Sequence, residues 1–210
     1  MSHDEIVALK TRAFYEEFAD EYASSIPHHV SGGMKEWLDA LVAGVPHATP
    51  IFEIGSGTGR DAAYLEDKGY SVQRSEIAGS FIRAFEDQGI SASKFDVLND
   101  SFLGEQHVVF ANSVFCHMTS RQLTNTLEKI YDALVPGGRL GFNTKSAVVP
   151  WHTMIANERL PGARYFSHWP PSKLRAEVER VGFNVLSCFE QSAILRPTPW
   201  VNLVVEKRSA

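Results

Sequence analysis

Ile51-Phe52-Glu53-Ile54-Gly55-Ser56-Gly57-Thr58-Gly59-Arg60-Asp61 is an apolar run that stops at a glycine and passes through two further alternating glycines into helix-forming residues. The pattern predicts a strand, a tight turn and a helix start. Alternate glycines admit positive φ and leave no Cβ between the loop and whatever lies above it, so a flat or anionic ligand can meet main chain directly. The helix start that follows offers free N–H groups to the same ligand.

Two familiar glycine-loop chemistries fit this spacing poorly. A dinucleotide fingerprint needs its third glycine three residues after the second, a place held here by Arg60. A phosphate loop needs Gly-Lys-Ser/Thr, which is absent. An ordinary βα turn is the plain alternative, and the residues that follow the loop decide against it.

Working outward, Asp61–Lys68 reads as a helix ended by Gly69, and Tyr70–Ser75 as a second strand closed by Glu76. A carboxylate about 20 residues beyond a glycine loop is where α/β nucleotide folds bind ribose, because it offers acceptors to the two hydroxyl donors. Phe81 and Phe85 share a face of the next helix. Ser93–Leu98 supplies a third strand ending near Asp96, a position that equally suits a simple turn. His107–Asn112 is a mostly apolar run fit for a central buried strand, with Asn112 and Ser113 at its carboxyl end. Thr119 and Gln122 form a capping box, and Leu123, Leu127, Ile130 and Leu134 make the inward stripe of the helix behind it. Pro136-Gly137-Gly138 stops that helix before a fifth strand, Arg139–Thr144.

Upstream, Glu5–Tyr22 favours a helix with Phe14, Phe18 and Tyr22 on one face, and Met34, Trp37, Leu38 and Leu41 mark another. Downstream, Lys145–Pro171 is irregular and aromatic. A helix from Ser172 carries Leu174, Val178 and Val181 inward, and 184–189 with 200–206 make a final antiparallel pair.

Taken in order, these segments resemble the class I S-adenosylmethionine-dependent methyltransferases of the small-molecule type. Glu53 and the glycine loop match the first motif. Arg74-Ser75-Glu76-Ile77-Ala78-Gly79-Ser80-Phe81-Ile82 is similar to the second, "D-x-S-x-x-M", with Glu for Asp and Ala78 for Ser. Asn112–Met118 resembles the fourth, and Leu134-Val135-Pro136-Gly137-Gly138-Arg139-Leu140 the "L-x-P-G-G-x-L" segment. Tyr15, Ala19 and Tyr22 fit a "Y-x-x-x-A-x-x-Y" lead-in.

The resemblance implies a Rossmann-like α/β fold with a seven-stranded mixed sheet of order 3-2-1-4-5-7-6, strand 7 antiparallel and helices on both faces. It implies one methyltransferase domain over 1–210, with a helical lid at 1–45, a cofactor-binding half at 46–144 and an acceptor-side insertion with the last strands at 145–210. S-adenosyl-L-methionine is the implied cofactor and S-adenosyl-L-homocysteine the product. The residues implied to hold it are Tyr15, Tyr22, Glu53, Gly55, Ser56, Gly57, Thr58, Gly59, Asp61, Glu76, Ile77, Asp96, Val97, Asn112 and Ser113. Trp151, Tyr165 and Trp169 are expected around the acceptor. A base is needed only if the attacking O, N, S or C atom must lose a proton, with His117 first in order and His168 and His152 after it.

The chain has 210 residues, net charge −5, 44% hydrophobic residues and 2 Cys. That size and core content suit one α/β domain. The acidic balance disfavours nucleic acid held by its phosphates. Cys116 and Cys188 stand too far apart for a zinc motif, no apolar run approaches about 18 residues, and the acidic N-terminus lacks a signal pattern. A cytoplasmic enzyme with a small-molecule acceptor, no membrane partner and no metal is expected. An RNA or protein methyltransferase, or a cofactor-binding subunit without activity, is the alternative.

Overall fold

The computed structural model describes residues 1–157, 160–192 and 199–209. Its centre is a parallel sheet made by β1 (Pro50–Ile54), β2 (Ser71–Glu76), β3 (Ala92–Lys94), β4 (Gln106–Ala111) and β5 (Leu134–Ser146), in the order β3-β2-β1-β4-β5. Beyond β5 the sheet continues through β9 (Trp200–Lys207), antiparallel to it from Arg139↔Glu206 to Lys145↔Trp200, and then β8 (Phe183–Gln191). Counting only these seven strands, the order is the expected 3-2-1-4-5-7-6.

Apolar contacts on both faces hold this sheet between helices. One face buries Trp37, Leu38 and Leu41 of α3 (Gly32–Val42) and Leu65 of α4 (Arg60–Glu66) against Ile51, Val108, Phe110 and Val204. The opposite face buries Leu123, Leu127 and Ile130 of α6 (Ser120–Ala133) and Leu174 and Val178 of α7 (Pro171–Val181) against Val109, Leu140, Phe142 and Leu203. β4 is therefore covered on both sides, which explains its unbroken apolar run. Thr119 and Gln122 form the capping box expected at the start of α6.

Two segments depart from the sequence expectation. The N-terminal helix is interrupted: α1 (His3–Glu17) ends at Phe18, whose φ of −118° and ψ of 33° are not helical, and α2 (Ala19–Ser25) follows. The break lets the Tyr22 ring meet the Tyr15 ring edge-on at 5.1 Å. The aromatic stretch after β5 is also regular. β6 (Trp151–Asn157) and β7 (Leu160–Trp169) form an antiparallel pair, and β7 joins the end of β5 through Lys145↔His168 and Ser146↔Trp169. The sheet thus has nine strands among the described residues. β7 packs against α1 and against the turn Phe115–His117, its residues Tyr165, Phe166, Ser167 and His168 are all buried, and the alternation that betrays a strand is lost.

Candidate active site

The carboxyl ends of β1, β2 and β4 meet below a cavity of about 540 Å³, a size typical of small-molecule sites. Gly55 and Gly57 form part of its floor. Gly57 has φ +51°, and a Cβ placed there would find no heavy atom within 4 Å, so the bare loop opens onto space. Gly59, at φ +75°, serves packing instead: a Cβ there would come within 2.7 Å of the Phe85 ring.

Beside the loop stands Glu76, 7% exposed, at the end of β2. One carboxylate oxygen accepts from Gly57 N at 2.9 Å, the other from Ile77 N at 2.8 Å and Ala78 N at 3.1 Å. Burial pushes its pKa above the ordinary carboxylate value, only partly offset by those three N–H donors. Glu53 and Ser56 lie beneath the loop. Glu53 is 2% exposed, and burial, reinforced by the neighbouring Asp61 charge, lifts its carboxyl to about 8. Its Oε2 and the Ser56 hydroxyl are buried without a hydrogen-bond partner among the described residues. An open glycine loop flanked by the Glu76 carboxylate suits a ligand with sugar hydroxyls.

At the end of β4 the backbone is held in an unusual turn. Ser113 has φ +60°, the one positive φ at a non-glycine among the described residues. Asn143 of β5, 1% exposed, accepts from Ser113 N at 2.7 Å and donates to Asn112 Oδ1 at 2.7 Å. Asn112 in turn donates to Asp61 Oδ2 at 2.5 Å, and Arg60 Nε meets Asp61 Oδ1 at 2.7 Å. Asn143→Leu removes the acceptor of a main-chain N–H and the donor of a buried amide together. It should lower stability by about 2–3 kcal/mol, read from urea unfolding midpoints; a loss below ~0.5 kcal/mol would mean the turn holds itself.

The roof is α1. Tyr15, Thr11, Arg12 and Ala8 line the cavity from above, with Tyr22 and Phe81 at one side. Several side chains pin this helix. Glu16 caps the N-terminus of α5 (Gly79–Asp87), accepting from Gly79 N at 2.7 Å and Ser80 N at 3.1 Å. Burial opposes ionisation of Glu16, but those bonds, with Arg12 and Arg83, hold its pKa below the ordinary value. At the other end Asp4 pairs with Arg121 at 2.8 Å. From outside, the hairpin braces the helix: Tyr165 N donates to Thr11 Oγ1 at 3.2 Å, and Arg164 Nη1 to the Tyr15 hydroxyl at 3.1 Å.

His117 stands where α1, β7 and the end of β4 meet. Its Nδ1 lies 2.6 Å from the Tyr165 carbonyl and its Nε2 3.0 Å from the Tyr15 hydroxyl. Burial, together with the Arg164 and Lys145 charges, lowers its pKa to about 3 despite the Tyr165 bond. The ring is neutral at physiological pH.

Of the residues expected at the site, Tyr15, Tyr22, Gly55, Gly57, Glu76, Ile77, Asp96, Val97, Asn112, Ser113 and His117 line this cavity. Glu53, Ser56, Gly59 and Asp61 support it from below, and Thr58 is exposed. Asp96 is committed to a local turn, accepting from Leu98 N at 3.0 Å and Asn99 Nδ2 at 2.7 Å. The hairpin residues lie elsewhere. Tyr165 and Trp169 are not among the lining residues, and Trp151 stacks on His168 at 3.6 Å on the hairpin itself. His168 is 2% exposed, and burial, with Lys145 near it, lowers its pKa to about 4; His152 is exposed. Neither histidine lines the cavity: His152 lies on β6, and His168 stacks on Trp151 at the end of β7. Residues not foreseen are Asn143, Arg164, Glu16, Thr11 and Arg12. A lone Asn inside the apolar run Leu140-Gly141-Phe142-Asn143 was the one signal available for any of them.

The sheet that ends in this glycine-floored cavity is doubly wound, and residues 52–140 match the family described as "Methyltransferase domain". No curated protein matches the chain. Among solved structures, it is similar to 1,6-didemethyltoxoflavin-N1-methyltransferase of Burkholderia thailandensis, crystallised with 1,6-didemethyltoxoflavin and S-adenosylhomocysteine: TM-score 0.73, 16% identity, covering 100% of this chain and 92% of that one. A DhpI complex with S-adenosylhomocysteine gives TM-score 0.72 and 16% identity over 100% of both chains. The [4+2]-cyclase SpnF shares the fold at TM-score 0.70 and 12% identity, covering 96% of this chain and 97% of that one, so the fold by itself does not fix the reaction.

Proposed function

We propose that the protein transfers the methyl group of S-adenosylmethionine to a small-molecule acceptor and releases S-adenosylhomocysteine. The observation that carries this reading is Glu76: a buried carboxylate at the end of β2, bonded to Gly57 N and facing the same cavity as the open glycine loop. Its acceptors suit the two hydroxyls of a ribose. Gly55, Gly57 and Ile77 would line the nucleoside, with Val97 against the base. The Asp96 oxygens, although engaged in the turn, keep lone pairs for an amino group. The bound sulfonium supplies an activated methyl and its own leaving group. The chain's contribution is placement and exclusion of water, for which Tyr15, Tyr22 and Phe81 on the roof and side are suited.

A small acceptor is favoured by the cavity volume of about 540 Å³ and by the α1 residues Ala8, Thr11, Arg12 and Tyr15 that lie over it. The similar structures with bound S-adenosylhomocysteine agree with the cofactor assignment. Titration of the purified protein with S-adenosylhomocysteine should release heat and raise the melting temperature. Absence of both would remove the cofactor from the site and the activity with it.

A further inference from the structure

The Tyr15 hydroxyl is locked in one polarity. A carbonyl oxygen only accepts, so the 2.6 Å contact between His117 Nδ1 and the Tyr165 carbonyl places the ring proton on Nδ1. In a neutral imidazole Nε2 is then a bare acceptor, and the group 3.0 Å away that can donate to it is the Tyr15 hydroxyl. Tyr15 thereby spends its only proton inside the protein. Arg164, which has no acceptor capacity of its own, donates to the same oxygen at 3.1 Å. What remains at Tyr15 is acceptor capacity, on a residue that lines the cavity.

Arg164 is suited to enforce this arrangement. It is 8% exposed, its guanidinium lies 4.2 Å from the Phe14 ring centre and 5.3 Å from that of Phe166, and it forms no ion pair among the described residues. The groups facing His117 are Tyr15 from α1, Arg164 and Tyr165 from β7, Lys145 from β5 and the buried Cys116 beside it. None is an ionised acid, and burial with the Arg164 and Lys145 charges outweighs the Tyr165 carbonyl bond that favours the imidazolium, so the polarity persists across the working pH range.

We infer that Tyr15, oriented by His117 and Arg164, selects methyl acceptors that present a hydrogen-bond donor, an O–H or N–H, at the cavity roof. The inference rests on the methyltransferase reading above and names the acceptor class for it. Thioethers and tertiary amines, which carry no proton on the attacking atom, are disfavoured. His117 and Arg164 are positioning residues. Both nitrogens of His117 are engaged, so it is not the free base that the sequence suggested.

The test has two arms on the S-adenosylhomocysteine-binding protein. In the first, ¹⁵N spectra of histidine-labelled protein, assigned by the resonance missing from His117→Gln, should show a single neutral Nδ1–H tautomer from pH 5 to 9. An Nε2–H tautomer, or titration near pH 6.5, overturns the inference. In the second, methyl-labelled S-adenosylmethionine is offered to one pool of phenols, azoles and primary amines and to another of thioethers and tertiary amines. Label should enter the first pool alone, and Tyr15→Phe should reduce that transfer on the order of 10–100-fold, a larger fold-change than its effect on S-adenosylhomocysteine affinity. Label in the second pool, in neither pool, or undiminished in Tyr15→Phe overturns it. Failure of the wild-type protein to bind S-adenosylhomocysteine removes the functional reading instead and leaves the tautomer result standing.

Discussion

Glu76→Ala is expected to weaken S-adenosylhomocysteine binding by about 100-fold, on the order of 2–3 kcal/mol, as measured by calorimetry. Two losses combine. The ribose would lose a charged acceptor, the stronger class of hydrogen bond. The loop would also lose its organiser, since Gly57, Ile77 and Ala78 all donate to this one carboxylate. Glu76→Gln separates the two, because the amide keeps one acceptor oxygen in nearly the same place; an intermediate affinity is expected. If Glu76→Ala binds as tightly as the wild type, the carboxylate is a loop anchor and not a ligand contact.

The second large effect concerns stability and has the opposite sign. Glu53 has a folded-state pKa of about 8, raised by burial and by Asp61. An acid whose pKa is higher folded than unfolded contributes most below its unfolded value, ordinarily near 4.3, and that contribution is lost as pH rises towards the folded value. The protein should therefore lose on the order of 2–4 kcal/mol between about pH 5 and pH 8 through this residue alone. Glu53→Gln keeps the shape without the proton equilibrium, so it should be more stable than wild type at pH 8 and nearly equal at pH 5. Urea unfolding at the two pH values checks this. A wild-type advantage at pH 8 would mean that the buried carboxylate is ionised and paired.

The parts of this molecule that could be read along the chain are those set by local pattern. The strand ending at Glu76, the loop at Gly55–Gly59 and the capping box at Thr119 each announce themselves within a few residues, and the sheet order came from the family resemblance that the ordered motifs carry. The roof could not be read that way. Tyr15 meets His117 across 102 positions and Arg164 across 149, and no periodicity in one segment reports the other. The hairpin misled for a related reason. Its aromatic residues suggested a binding pocket, whereas Trp151 and His168 stack on each other and the Tyr165 main chain bonds Thr11 of α1. Composition marks a segment that buries surface but is silent on which neighbour it covers. Asn143 stood in plain view, yet a polar residue inside a strand reads as an interruption until its partners Asn112 and Ser113 are placed.

The cavity draws its floor and its roof from different stretches of chain. Positions 54–113 contribute the floor, and positions 1–22 contribute most of the roof, touching the rest through side chains such as Asp4 and Glu16. On the proposed function, substitutions at roof positions such as Ala8 and Thr11 would bear on the acceptor more than on the nucleoside, which the floor would hold. Exchanging residues 1–22 as one block would then alter the roof while leaving the glycine loop and Glu76 in place.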